Sequence, residues 1–139
     1  MSDSMLDLFG ERVRFISPES HAVRVFFAHY HHRPHQRTWR PPTDVYEMED
    51  AIIVKVELAG MDPGGIAVSL SGRVLNIHGD RKGPDEKRCY HCMEIPYGEF
   101  HANVMLPGPI DDAAITARYA NGFLVVRLPK IAKSKAEVK

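Results

Sequence analysis

The sequence predicts an all-β chain: an immunoglobulin-like antiparallel β-sandwich of seven or eight strands, with a flexible N-terminal arm and a short C-terminal tail. Three observations predict it. Gly and Pro breakers recur at Pro41-Pro42, Gly60 to Gly65, Ser71-Gly72, Gly79, Gly83-Pro84, Pro96 to Gly98, Pro107 to Pro109, Asn121-Gly122 and Pro129. Between them apolar residues alternate with other residues, the period of a strand with one face on a core. No segment carries a long helical period, which excludes parallel βαβ architectures.

In chain order, residues 1–40 form the arm. Apolar clusters (Leu6, Leu8, Phe9; Phe15, Ile16; Val25, Phe26, Phe27) alternate there with an Arg- and His-rich stretch. Short helical turns are expected around residues 3 to 9, with Asp3 or Ser4 as N-cap. Disorder normally accompanies low hydrophobicity, so this arm must place its apolar side chains against something. Residues 41–129 form the sandwich. Ile52, Val54, Val56 and Leu58 share one face, with Ile53, Lys55 and Glu57 on the other. Ile66, Val68 and Leu70 alternate with Ala67 and Ser69, and Leu124, Val126 and Leu128 with Phe123, Val125 and Arg127. Asn121-Gly122 between two such runs predicts a tight hairpin, because a type I′ turn needs positive φ at both central residues. Trp39 reads as an anchor at the start of the domain. Residues 130–139 are short, basic and aperiodic and read as a solvated tail.

The 139 residues suit one domain with flanks. The 18 basic and 18 acidic side chains cancel, which disfavours a strongly basic nucleic-acid binder and an acidic disordered chain. By segment the balance is +2 over residues 1–40, −5 over 41–129 and +3 over 130–139. No run approaches the roughly 18 apolar residues of a membrane span, and the acids near the start do not suit a secretory signal. The expected location is the cytoplasm, with no nucleic acid and no stable membrane association.

Cys89-Tyr90-His91-Cys92 has the spacing of half a zinc site, but a structural zinc needs four ligands. Read as strand, the two cysteines point to opposite faces about 10 Å apart, too far to bridge. Two reduced thiols are the expectation, either of which, if exposed, is able to cross-link subunits under oxidation. His29, His31, His32 and His35 read as a solvated cluster rather than a metal site. Five of the eight histidines fall within residues 21–35, so mild acid is expected to charge the arm and loosen its self-association. No nucleophile elbow, phosphate loop or dinucleotide fingerprint is present, and neither enzymatic activity nor a cofactor is expected.

These residues resemble the small heat-shock proteins, through their α-crystallin (Hsp20) domain, of the bacterial type. PPTDVYEMEDAIIVKVELAGM resembles the opening strands of that domain, ending in Leu58-Ala59-Gly60. IAVSLSGRVLNIHGDRK is similar to its next strand pair, and YGEFHANVMLP to its Gly-x-Phe stretch ending in Leu-Pro. The most specific element is Ala-x-x-x-Asn-Gly-x-Leu, at Ala117, Asn121, Gly122 and Leu124. The resemblance covers about residues 40 to 130. Two arginines common in the family are replaced by Ile95 and Ala102, implying a more apolar dimer interface. The Ile-x-Ile/Val triplet of the family's tail is absent; Ile131 and Val138 stand alone.

The resemblance implies an ATP-independent holdase that binds partly unfolded proteins and prevents their aggregation under stress. Self-association is implied as a homodimer, in which a strand from the loop after Arg81 exchanges between subunits, and possibly as a larger oligomer. Client contacts are expected from Leu6, Leu8, Phe9, Phe15, Ile16, Val25, Phe26 and Phe27. An edge groove is expected at Val68, Leu70, Leu124 and Val126. The alternative is a co-chaperone adaptor of sandwich type that binds one folded partner.

Overall fold

The structure is a computed structural model that describes residues 38–131 and, upstream of them, three short strands, β1 (Ser4–Leu6), β2 (Arg12–Arg14) and β3 (Val25–Phe27). Seven strands follow: β4 (Thr43–Glu47), β5 (Ala51–Glu57), β6 (Ile66–Ser71), β7 (Val74–Arg81), β8 (Gly98–Met105), β9 (Thr116–Ala120) and β10 (Phe123–Pro129). They form two sheets, β4-β5-β10-β9 and β1-β2-β3-β6-β7-β8. The seven later strands pair antiparallel throughout, as the period-two pattern predicts. Two single 3₁₀ turns, Pro63–Gly65 and Asp112–Ala114, are the helical elements among the described residues.

The inward phase of each strand fills the space between the sheets. Ile52, Val54, Val56 and Leu58 meet Val68, Leu75, Ile77, Phe100, Leu124, Val126 and Leu128 in one core cluster. At about 25 cal/mol per Å² of apolar surface removed from water, this burial supplies the main driving force for closing the sandwich. Within the β6-β7-β8 sheet the neighbours of Gly79 crowd it: a Cβ there would collide with the Gly65 carbonyl and the Phe100 ring. The Asn121-Gly122 hairpin forms as predicted, with φ of 53° and 80°. β9 and β10 pair directly on either side of it, Ala120 opposite Phe123.

Hydrogen bonds tie the strand ends and turns of the β4-β5-β10-β9 sheet together. The Tyr119 hydroxyl donates to the Leu58 carbonyl (2.7 Å) and accepts from the Met61 amide (3.2 Å). At the β4–β5 turn, Met48 N–H donates to the Ala51 carbonyl (2.7 Å), and the Lys130 amide donates to the Asp50 carbonyl (2.9 Å).

Four expectations are corrected. Residues 4–6 are strand rather than helical turn, paired with residues 12–14. A helix of a few residues carries the full nucleation cost, whereas a three-residue strand joins an existing ladder. Residues 89–92 are not strand. The β7–β8 ladder ends at the Arg81–Gly98 pair, residues 82–97 pair with no described strand, and the chain bends at His91. The strand argument for keeping Cys89 and Cys92 apart therefore lapses. Ala102 is fully buried in the core rather than at a surface. Leu124 and Val126 lie on β10, between β5 and β9, and have no solvent exposure, so they form core and not an edge groove.

Candidate functional site

Three features around the sandwich are available for binding. The first is the edge of β6. β3 pairs with it in parallel, Val25 opposite Val68, Phe26 opposite Ser69 and Phe27 opposite Leu70. β6 therefore presents an edge whose amide and carbonyl groups accept an extended segment from elsewhere in the chain. Its Val68 and Leu70 side chains point inward and are buried.

The second feature is the loop between β7 and β8. Its root is held by Arg81, whose Nε and Nη2 both donate to the Pro96 carbonyl (3.0 Å from Nε) and whose Nη1 donates to the Ala59 carbonyl (3.3 Å). The guanidinium lies 4.3 Å from the Trp39 ring centroid and 5.5 Å from that of Tyr97. Trp39 is itself fixed, as an anchor should be. Its N–H donates to Glu99 (3.1 Å), its carbonyl accepts from His101 (3.0 Å), its indole donates to Gly98 (3.2 Å) and its ring tilts onto Phe100. Beyond this clamp, residues 82–95 are all exposed, among them Tyr90, Met93 and Ile95.

The third is β4, an outer strand of its sheet, where Val45, Tyr46 and the adjacent Met48 are exposed. One carboxyl nearby is perturbed. Asp50 is held below its ordinary value of 3.8, first by the Arg127 hydrogen bond (2.7 Å) and then by the Arg127 charge.

The structure places the sequence-predicted residues unevenly among these features. Leu6 lies on β1, and Val25, Phe26 and Phe27 on β3, which brings the last three to the β6 edge. Leu8, Phe9, Phe15 and Ile16 lie outside the described residues, as do His29, His31, His32, His35 and Val138. Ala117 is buried on β9, opposite Val126. Cys89 and Cys92 are both exposed free thiols. No cluster of three or more potential metal ligands occurs among the described residues. Sequence reasoning missed Arg81 and the outer position of β9. The signal for the first is an arginine in the inward phase set by Leu75, Ile77 and Gly79. For the second it is the polar outward face of β9, Thr116 and Arg118.

Residues 44–139 match the family model described as the Hsp20/alpha crystallin family. The chain belongs to the Hsp20/alpha-crystallin family. Small heat shock protein C2 of Rickettsia felis is 34% identical over 97 residues, covering 68% of this chain and 63% of that protein. Heat shock protein 16 of Schizosaccharomyces pombe is 33% identical over 101 residues, covering 70% and 71%. The matched region thus spans somewhat under two thirds of the Rickettsia protein. Among solved structures, hspA from Xanthomonas axonopodis superposes with a TM-score of 0.65 at 33% identity, covering 70% of this chain and all of that one. A small heat-shock protein from Xylella fastidiosa, described as having a distinct high order structure, gives 0.65 at 31% identity, covering 71% and 93%. In this Hsp20 domain, Ala117, Asn121, Gly122 and Leu124 build the β9–β10 hairpin, whose Gly122 carbonyl accepts from Leu58 N–H (2.8 Å). No helix among the described residues is long and apolar enough to cross a membrane.

Proposed function

We propose that the protein is an ATP-independent holdase of the cytoplasm, binding partly unfolded proteins and keeping them from aggregating under stress. Membership of a chaperone family supports this reading. The observation that carries it for this chain is the β6 edge, which accepts Val25–Phe27 as an added parallel strand. Unfolded clients offer the same chemistry, extended backbone bearing apolar side chains. Capture needs no nucleotide, because it depends on differential exposure of apolar surface rather than on a chemical step. Leu6, Leu8, Phe9, Phe15, Ile16, Val25, Phe26 and Phe27 are the proposed client contacts, with Val68 and Leu70 behind the β6 edge.

Self-association accompanies this function. The open β4 edge and the exposed 82–95 segment have complementary needs: one lacks a neighbouring strand, the other lacks a ladder to join. A dimer in which each loop pairs with the partner's β4 satisfies both and covers Val45, Tyr46, Met93 and Ile95.

The test is light scattering of a heat-denatured client with substoichiometric protein and no ATP. Suppression is expected, and its absence at every ratio overturns the reading. Deleting residues 1–37, which spares Trp39, is expected to abolish suppression while the sandwich still unfolds cooperatively. A truncated chain that suppresses as well as the full one overturns the assignment of client contacts to the arm.

A further inference from the structure

Cys89 and Cys92 are the two cysteines of the sequence, both exposed, near the middle of the 82–97 loop. The root of that loop is fixed by Arg81 and the Arg81–Gly98 pair; its tip is held by no strand or helix. The chain already bends at His91, between the two thiols. A disulfide needs Cα atoms about 5.5–6 Å apart, whereas three steps of extended strand separate them by about 10 Å. Disulfide and extended strand therefore exclude each other at residues 89–92.

We propose that Cys89 and Cys92 form a reversible intrachain disulfide at the loop tip, and that its formation withdraws residues 89–92 from extended pairing with a second chain. The second half rests on the exchanged-loop dimer proposed above. The oxidant is a small-molecule disulfide such as oxidised glutathione. One cysteine thiolate attacks a glutathione sulfur, releasing one glutathione thiol and leaving a mixed disulfide. The other attacks the protein sulfur of that bond, closing the ring and releasing the second glutathione thiol. Two electrons and two protons leave the protein thiols and are carried by the two glutathione molecules.

The experiment equilibrates the purified full chain in glutathione buffers from reducing to oxidising. Non-reducing peptide mass spectrometry reads the thiols, and sedimentation at the same potentials reads self-association. The loop peptide is expected to become lighter by two hydrogens, both thiols being lost together. The dimer dissociation constant is expected to rise by about tenfold or more, with no such response in Cys89→Ser. Thiols that stay reduced, or that pair only between chains, overturn the proposal; so does an internal disulfide that leaves association unchanged. Reduced protein carrying Met93→Asp and Ile95→Asp separates the two readings. Unchanged association there overturns the exchanged-loop dimer and the second half of the proposal with it. Lost association there, beside a wild-type dimer indifferent to oxidation, overturns the switch alone.

Discussion

Arg81 occupies the inward phase of β7, after Leu75, Ile77 and Gly79, yet it is a permanent cation with 9% of its surface exposed. Its hydrogen-bond partners are the Pro96 and Ala59 carbonyls, and two aromatic faces flank it. Arg81→Met keeps most of the stem but leaves those carbonyls without a donor. A loss of about 1–3 kcal/mol is expected by chemical denaturation, together with faster proteolysis within residues 82–97. Arg81→Lys restores the charge but not the planar fork, so it should recover little of either. At Asp50 the sign runs with acid. A carboxyl held below 3.8 by Arg127 stabilises the fold fully above that value and loses the contribution as pH falls through the lowered one. Asp50→Asn should therefore lower stability slightly at neutral pH, where the contribution is fully present, and flatten the acid side of the profile below about pH 4, within the ordinary carboxylate range. Acid titration of unfolding checks this. Both residues show what was readable at this scale. Gly and Arg in an apolar phase are visible anomalies in the sequence, but Trp39 and Pro96 reach Arg81 only through the fold.

The strands themselves were legible where alternation ran over several residues, as at β5, β6 and β10, and the β9–β10 turn was readable from two residues. Order within a sheet was not. β10 is central and β9 outer because β10 finds partners on both sides, a property of the pairing and not of either strand alone. The short strands β1 to β3 carry too few residues to display a period, and their strand state comes from the β6 edge onto which they build. A proline at the middle of β3 tests that dependence. Phe26→Pro removes a backbone donor and fixes φ, disfavouring the ladder. Amide exchange at Val68–Leu70 is expected to quicken while that of β10 stays slow; equal exchange in both proteins would remove β3 as the cover of this edge.

At the scale of the molecule, the zero net charge divides into a −5 centre and positive flanks of +2 and +3. Flanks of one chain and the sandwich of another attract at moderate salt, over a screening length of about 8 Å at physiological strength. Raising salt from about 0.05 to about 0.5 M should therefore weaken self-association if charge steers it, as read by sedimentation. Association that strengthens with salt would assign it to apolar contact alone. The domain was legible as a whole because its motifs keep their order and spacing. The exposed loop was misread as strand, and only the fold shows that residues 82–97 join no ladder of the described residues, the β7–β8 ladder ending at the Arg81–Gly98 pair.

The central place of β10 has a consequence in time. β5 finds its inner neighbour only in residues 123–129, made after all of β6, β7 and β8. Pairings so distant along the chain close slowly. During synthesis the β6-β7-β8 meander can close from contacts between successive strands, but the inner edge of β5 must wait for residues 123–129. Until then the nascent chain leaves an edge and apolar surface of β5 unpaired. Interruption just before residue 123 should therefore be a markedly aggregation-prone point of synthesis, read as insoluble product from chains truncated there.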